Sequence, residues 1–227
     1  MVTAKDFKIP YTWQERHVVI ENRIWFVPVR PVKTGFVFTD WHTSGLFSSA
    51  QPVAIEYCSG NGSWILEKAK EMPHINWLAV EKRFDRARKI WVKATNAGLS
   101  NLAVALAEGL DLTSQFIPDN SVSQVFVNFP DPWPKRRHEK HRIICPEFVC
   151  ELTRVIQHEG KITLVTDDDD YSAIMIEEMQ KSPHCTSDIG PPYFCQAPDS
   201  YGTSFFDTLF RDLKRTIRMH LFSVHKP

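Results

Sequence analysis

The sequence predicts an α/β protein with a doubly wound, mostly parallel sheet. From Val53 onward, short apolar runs of strand length alternate with amphipathic segments of helix length, as in βαβ units. The first of these strands leads into a glycine-containing turn, and later strands end in a carboxylate. We therefore expect seven strands with helices on both faces, the last strand antiparallel, and a ligand site at the carboxyl ends of the parallel strands.

Length and composition fit one globular unit. The 227 residues can bury a substantial core, and contents of 43% hydrophobic and 24% charged residues are ordinary. A formal net charge of zero argues against a protein that coats nucleic acid through bulk charge, so local basic clusters are more informative. No run approaches the ~20 apolar residues of a membrane span, and the first residues lack the layout of a signal peptide. We expect no membrane segment.

Cysteine and histidine usage favours a reducing compartment and argues against a metal site. The chain has five cysteines, an odd number, and no C-x-x-C pair. His138 and His141 have the spacing of a ligand pair, but the lysines and arginines around them repel cations. The sequence predicts free thiols, a cytoplasmic location and no metal.

The first predicted strand, Val53–Tyr57, is followed by a tight loop, Cys58–Gly62, and a helix over Ser63–Glu71. Glycines at such a turn allow a ligand to approach the backbone closely. The dinucleotide fingerprint G-x-G-x-x-G is not met. The methyltransferase pattern E-x-G-x-G-x-G fits better from Glu56 to Gly62, with Cys58 in place of the first glycine. Alone the pattern is weak, since glycines also make ordinary turns.

The second and third predicted strands also end beside an acid. Trp77–Glu81 places Glu81 about 20 residues beyond the glycine loop, where a carboxylate can accept hydrogen bonds from a ribose diol. A helix over Lys82–Gly98 is predicted from an apolar stripe at 3.6-residue spacing. The third strand, Leu102–Ala107, closes on Glu108.

The segment Asn128–Arg142 carries the strongest signal in the chain, after a strand at Ser123–Val127. Its prolines fix their own φ angles and restrict the residues before them, which predicts extended geometry for Asp131 and Trp133. Asp131 is thus a carboxylate on a stiff turn at a strand's carboxyl end. The alternative is a surface turn with a solvated charge run, which would need neither the carboxylate nor the tryptophan.

Further elements complete the predicted fold. Asp167 should stand at the end of a strand, with three more aspartates capping the next helix. In chain order, we predict a loop at Asp111, an amphipathic segment over Arg142–Gln157, a turn at Glu159–Gly160 and a strand at Lys161–Thr166. The capping aspartates are Asp168–Asp170. The last predicted element is a half-exposed strand at Thr216–Leu221, with Ile217, Met219 and Leu221 on one face.

The central segment resembles the signature of the bacterial tRNA (guanine-N7)-methyltransferases, F-P-D-P-W-x-K followed by R-H and K-R-R/H-R. The match runs from Phe129 to Lys135 and continues at Arg137-His138 and Lys140-His141-Arg142. Ser204-Phe-Phe-Asp207 lies where that family has T-x-[FY]-E. The resemblance covers roughly Pro52 to Leu221.

The resemblance implies a Rossmann-like class I S-adenosylmethionine-dependent methyltransferase fold over residues 51–227. Residues 1–50 would be an N-terminal extension that packs on the core or contacts tRNA. S-adenosylmethionine would donate a methyl group to N7 of a guanine in tRNA, which in this family lies in the variable loop. N7 has an unshared pair and no proton to lose, so the reaction needs placement more than a strong base. The protein would be a monomer or a homodimer.

The resemblance also implies roles for individual residues, with Asp131 as the catalytic residue that holds either the guanine or the donor's charged end. Donor binding falls to Glu56, Cys58, Gly60, Gly62, Glu81, Glu108 and Asp131, substrate binding to Lys135, Asp167, Ser204 and Asp207, and RNA contact to Trp133, Arg136, Arg137, Lys140 and Arg142. Two alternatives stay open: a methyltransferase of the same fold with another substrate, and a tRNA-binding protein without catalysis.

Overall fold

The computed structural model describes residues 1–32, 35–202 and 204–226, except the side chain of Arg136, and a twisted sheet runs through its centre. The ten strands within these residues are β1 Val19–Glu21, β2 Ile24–Phe26, β3 Val53–Tyr57, β4 Asn76–Glu81, β5 Leu102–Leu106, β6 Val122–Asn128, β7 Ile156–Thr166, β8 Cys185–Ser187, β9 Cys195–Gln196 and β10 Arg218–Val224.

Helices cover both faces of the sheet, and their starts follow local sequence signals. Asp168 Oδ1 caps the fifth helix by accepting the Tyr171 N–H at 2.8 Å, and Pro146 opens the fourth. In chain order the helices are α1 Ser63–Glu71, α2 Phe84–Asn96, α3 Gly109–Phe116, α4 Pro146–Val155, α5 Asp169–Gln180 and α6 Phe205–Asp212, with 3₁₀ turns at Trp13–Glu15, Arg136–His141 and Asp199–Tyr201. None of the helices in the described part of the chain has the length and apolarity to cross a bilayer.

The strand order is β1-β2-β5-β4-β3-β6-β7-β10-β8, and β9 also pairs with β10. Strands β5, β4, β3, β6 and β7 are parallel, whereas β10 runs antiparallel to β7 and β8 antiparallel to β10. The predicted doubly wound fold is confirmed: β3 to β8 and β10 form its seven strands. The additional strands are the hairpin β1–β2 and the two-residue β9.

Alternate residues of the central strands bury into two separate cores. On one face, Ile55 packs in a cluster with Leu112 of α3 and Phe148 of α4. On the other, Ala54 packs with Ile65 of α1 and other side chains of α1 and α2. Because both faces are covered, all eleven positions of β3 and β4 are buried and eight of them are apolar.

The N-terminal segment extends the sheet. Strand β2 pairs in parallel with β5, with Phe26 opposite Leu106. Trp25 is fully buried and stacks on Phe38 at 4.5 Å between ring centroids, while Phe7 packs against Phe26 on the opposite face. The division of the chain at residue 50 stays a prediction, but residues on its N-terminal side contribute to both cores.

Three predictions about the helices and strands were wrong. Asp111 lies in helix α3 and not in a loop, since the helix begins directly after Glu108. Glu159–Gly160 is not a turn: β7 continues through it with a register shift against β6, and a Cβ on Gly160 would lie 2.4 Å from Ile156 Cγ2. In β10 the buried side chains include His220 and Phe222, whereas Met219 and Leu221 are half-buried, because hydrogen bonds to Ser172 Oγ and the Tyr193 carbonyl satisfy the His220 ring.

Candidate active site

Two adjoining cavities open at the carboxyl ends of the parallel strands, as expected for this type of sheet. The larger has a volume of about 890 Å³ and the smaller about 90 Å³. Four residues line both of them: Cys58, Arg86, Phe129 and Phe206. The larger volume lies within the roughly 300–1,000 Å³ of small-molecule sites.

The loop after β3 has a left-handed backbone at three positions. Cys58, Gly60 and Gly62 all have positive φ, at 60°, 55° and 74°. A Cβ on Gly62 would lie 2.6 Å from Ile90 Cγ1, so that position requires glycine. Cys58 adopts the left-handed conformation that glycine favours, which explains why the related pattern has glycine there.

Glu56 is a buried carboxylate with one unused oxygen. Its Oε1 accepts the Asn128 Nδ2–H at 2.8 Å, whereas its Oε2 is buried without a partner among the described residues. Burial raises the pKa of this carboxyl group to about 7, although the Asn128 hydrogen bond opposes the rise. Glu56 lines the smaller cavity, and an unsatisfied carboxylate oxygen there suits a cationic group of a ligand.

Glu81 and Glu108 border the larger cavity from the ends of β4 and β5. Glu81 is buried and accepts the Gly60 and Arg83 N–H groups at 2.9 and 2.8 Å, and its desolvation raises its pKa. Its oxygens retain lone pairs for a diol, since an ionised carboxylate has about four acceptor positions. Glu108 is half-exposed and pairs with Lys82 at 3.4 Å.

The turn after β6 differs from the predicted extended geometry at Trp133. Phe129 and Trp133 both have positive φ, at 48° and 43°, although each precedes a proline. The Trp133 ring packs between His138 and His141, with centroids 5.4 and 5.3 Å away. Packing of the Trp133 ring on the two histidines, together with a hydrogen bond from Arg142 to the Trp133 carbonyl, therefore overrides the preference of a pre-proline residue for extended backbone.

Arg142 and Asp131 hold this turn together from its two ends. Arg142 donates from Nε to the Pro132 carbonyl at 2.8 Å and from Nη2 to the Trp133 carbonyl at 3.2 Å. Asp131 Oδ1 accepts the Trp133 N–H at 3.2 Å, which fixes the carboxylate on the cavity wall. The other Asp131 oxygen has no partner among the described residues and can accept from a ligand.

Asp167, at the end of β7, lines the larger cavity. Its Oδ2 accepts a hydrogen bond from Arg215 Nη1. Ser204 lines the smaller cavity and caps α6 by accepting the Asp207 N–H at 2.9 Å. Asp207 is buried beneath, where Arg211 Nε donates to its Oδ2 at 2.9 Å and its Oδ1 has no partner among the described residues.

An aromatic wall was missed in the sequence. Phe129, Phe206 and Phe210 line the larger cavity, and the last two stack with centroids 5.8 Å apart. Phe206 and Phe210 are four residues apart on α6, a spacing that places them on one face. That spacing was the available signal, but an apolar helical pair more often indicates core than site. Arg86 and Asn128, which contact Glu81 and Glu56, were also missed.

The basic segment lies beside the larger cavity. Lys140 and Arg142 line it, whereas Lys135 and Arg137 are exposed. Arg137 Nε donates to His138 Nε2 at 3.2 Å. The Arg136 side chain lies outside the described part of the chain, so its predicted RNA contact has no structural counterpart here. Among described residues, no group of three His, Cys, Asp or Glu side chains could hold a metal ion.

These features fit S-adenosylmethionine. Residues 58–62 of the glycine loop line the smaller cavity, the Glu56 oxygen without a partner among the described residues matches a charged amine, and Glu81 offers acceptors for a ribose. The sequence prediction that the donor-side residues share one site is consistent with this geometry, and their roles stay predictions.

Comparisons with known proteins agree on the class. Residues 50–198 match the family described as "Putative methyltransferase". Among solved structures, the 16S rRNA methyltransferase KamB aligns with a TM-score of 0.58 at 16% identity, over 83% of this chain and 95% of that one. The aminoglycoside resistance methyltransferase NpmB1 aligns with a TM-score of 0.55 at 19% identity, over 78% and 89%. These similarities show the fold.

Curated relatives narrow the family. The tRNA (guanine-N(7)-)-methyltransferase of Chlamydia muridarum is 42% identical over 208 residues, which is 91% of each chain. The corresponding protein of Chlamydia felis is 38% identical over 94% of this chain and 93% of its own. Such identity over nearly the whole length makes the chain a methyltransferase that belongs to the tRNA (guanine-N7)-methyltransferase family.

Proposed function

We propose that this protein transfers the methyl group of S-adenosylmethionine to N7 of a guanine in the variable loop of tRNA. One observation carries the proposal: acids from four strand ends and two members of a basic segment border the same cavity of about 890 Å³. The acids are Glu81, Glu108, Asp131 and Asp167, and the basic residues are Lys140 and Arg142.

The donor binds across the glycine loop in this proposal. Glu56 Oε2 accepts from the donor's amino group, Glu81 from its ribose hydroxyls, and Glu108 lies on the adenine side. When bound, S-adenosylmethionine supplies an electrophilic methyl group on a sulfonium. The buried carboxylate of Glu56 then gains a cationic partner, which offsets part of its desolvation.

The guanine enters from the side of Asp131 and Asp167. Its Watson–Crick edge offers N1–H and N2–H donors, which suit carboxylate acceptors. The Phe206 and Phe210 rings provide a stacking surface on the same wall. Asp131 is the catalytic residue, because its carboxylate is fixed on a braced turn between the donor and acceptor sides. Fixed placement can contribute on the order of 7–11 kcal/mol in the best intramolecular models.

The tRNA backbone lies along the basic segment. In this proposal, phosphates are contacted by Lys135, Arg136, Arg137 and Lys140. The Trp133 ring lies beside these residues and contacts the RNA as well. Arg142 acts on RNA indirectly, because its guanidinium is engaged by the Pro132 and Trp133 carbonyls and its side chain is 14% exposed.

The decisive experiment incubates the protein with unmodified tRNA and donor labelled in its methyl group, followed by nucleoside analysis and mapping of the labelled position. We expect labelled 7-methylguanosine at one variable-loop position. Label in a different nucleoside, or in none of the tRNA, would overturn the proposal. Tight tRNA binding without donor binding in calorimetry would instead support the alternative of a tRNA-binding protein without catalysis.

A further inference from the structure

Arg215 engages the Asp167 carboxylate at the wall of the larger cavity. It lies on the turn between α6 and β10, where Lys214 has a φ of 55° and the Arg215 N–H is bonded to the Phe210 carbonyl at 2.9 Å. Its Nη1 donates to Asp167 Oδ2, and its guanidinium lies over the Phe210 ring at 5.1 Å from the centroid. The side chain therefore covers both an acceptor and a ring of the cavity wall.

Those two contacts match what a guanine base would make at the same place. In guanine, N1–H, C2 and the 2-amino group form a planar N–C–N unit with adjacent donors, which is chemically a guanidine. An arginine guanidinium presents the same unit and likewise pairs with carboxylates and stacks on aromatic faces. We propose that Arg215 occupies the guanine position on Asp167 and Phe210 in the free enzyme and leaves it when the substrate guanine enters.

This inference rests on the proposed function, which assigns Asp167 to the guanine edge. Displacement is feasible because the Arg215 side chain is 52% exposed and, among the described residues, is held by one ion pair and one ring contact, while the Asp167 carboxylate, at 11% exposure, needs a donor in either state. After release, its cation remains beside the bound RNA. The contact would thus make entry of guanine an exchange of one guanidine-type group for another.

The chain contains a matched control. Arg218 pairs with Asp169 and lies over the Phe194 ring at 5.2 Å from the centroid, so it makes the same two kinds of contact. Asp169 and Phe194 are not among the residues that border the described cavities. Arg218 should therefore not respond to the target base.

The test follows the side-chain Nε–H signals of Arg215 and Arg218 by nuclear magnetic resonance, assigned with Arg215→Gln and Arg218→Gln. The full-length protein is saturated with S-adenosylhomocysteine and then with one of two tRNA transcripts, which differ only in guanine or adenine at the methylated position. Adenine keeps every phosphate contact but lacks the N1–H and 2-amino donors. We expect the guanine transcript to move the Arg215 signal and the adenine transcript to leave it unchanged. Equal responses to the two transcripts, or no response to either, would overturn the proposal.

Binding measurements give an independent readout. In Arg215→Gln the ratio of affinities for the guanine and adenine transcripts should rise by about 3- to 10-fold, since guanine no longer competes with an ion pair and a ring contact of ordinary strength. The ratio should stay within twofold of the parent in Arg218→Gln. An unchanged or smaller ratio in Arg215→Gln contradicts the exchange. If the parent does not methylate guanine N7 in tRNA, the proposed function fails; if it does and the ratio stays fixed, only the Arg215 inference fails.

Discussion

The ionisation of Glu56 depends on the fold. Its carboxyl pKa rises from 4.5 to about 7 because it is buried, with one oxygen bonded to Asn128 and the other unpartnered. The native state therefore binds a proton more tightly than the unfolded state does. By linkage, the stability that this proton provides is fully present below about pH 4.5 and is lost as the pH rises to about 7.

Glu56→Gln should remove that pH dependence, because an amide cannot ionise and can still accept from Asn128. We expect the free energy of unfolding of the parent to fall, relative to the variant, by on the order of 1–3 kcal/mol between pH 4.5 and pH 8. Urea unfolding at both pH values measures it. If the free energies of unfolding of the two proteins changed in parallel with pH, the pKa of Glu56 would not be raised in the fold.

Asp131 provides the second prediction at this scale. Asp131→Asn keeps the acceptor for the Trp133 N–H and therefore the turn, but it removes the negative charge. If that charge faces the guanine donors or the sulfonium, single-turnover methyl transfer at saturating donor and tRNA should slow by a barrier of ~2 kcal/mol or more. Affinity for tRNA, which rests on many phosphates, should change little. A variant within twofold of the parent rate would remove Asp131 from the catalytic role.

At the scale of elements, some features of the glycine loop were predictable from the sequence and others were not. The strand, the loop and the helix start after it were predicted with the bounds that the structure has. The need for glycine at position 62 was not predictable, because it arises from packing against the Ile90 side chain of helix α2. Likewise, the apolar stripe at helical spacing predicted α2, whereas the bulge at Gly160 depends on pairing with a strand about 35 residues away.

Cys58→Gly tests the loop. A non-glycine residue in the left-handed region costs about 1–2 kcal/mol, while glycine adds roughly 0.5–1 kcal/mol of unfolded-state entropy. We expect the variant to be equal to the parent or up to ~1 kcal/mol more stable in urea unfolding, with donor affinity retained. Cys58→Val, which adds a β-branch at φ 60°, should be less stable and bind donor more weakly. The reverse order of the two variants would contradict the strain at this position.

The basic segment contains two kinds of arginine, and they should behave differently. Arg137→Ala should weaken binding of all tRNAs alike and reduce the slope of log affinity against log salt by about one, without changing stability. Arg142→Ala should lower the melting temperature and the turnover rate, since it removes the donors that close the Asp131 turn. Salt titrations and thermal unfolding of both variants measure these effects. Identical behaviour of the two would contradict the bracing role of Arg142.

At the scale of the whole molecule, the N-terminal segment was the least predictable part. Its β2 residues form an apolar run typical of a strand, but the choice of β5 as partner is a contact across about 80 residues that no local pattern encodes. The central strands were predictable because each is buried on both faces and reads as an apolar run. The cavity acids were predictable from their position at strand ends, whereas Phe206 and Phe210 needed the packing of α6 beside that site.

Trp25→Ala tests whether residues 1–50 are part of the folded unit. Trp25 is fully buried in the core that contains Ile55 and Val80, so truncation should cost ~3–5 kcal/mol in urea unfolding monitored by backbone circular dichroism. Trp13→Ala is the control, because Trp13 is 71% exposed and should change stability by less than ~0.5 kcal/mol. Equal stability of the Trp25 variant and the parent would mean that residues 1–50 do not fold as part of the same cooperative unit.

Because β2 pairs with β5, β2 can join the sheet only after β5 has been synthesised. Phe26 lies opposite Leu106, so the partner of this strand emerges from the ribosome only after 80 further residues (106 − 26) have been added. At roughly 5–20 residues per second, the apolar run Ile24-Trp25-Phe26 waits about 4–16 s without its partner strand. During that interval the run is exposed to aggregation or to a chaperone, and β2 can join the sheet after β5 is made but before β6 to β10 have been translated.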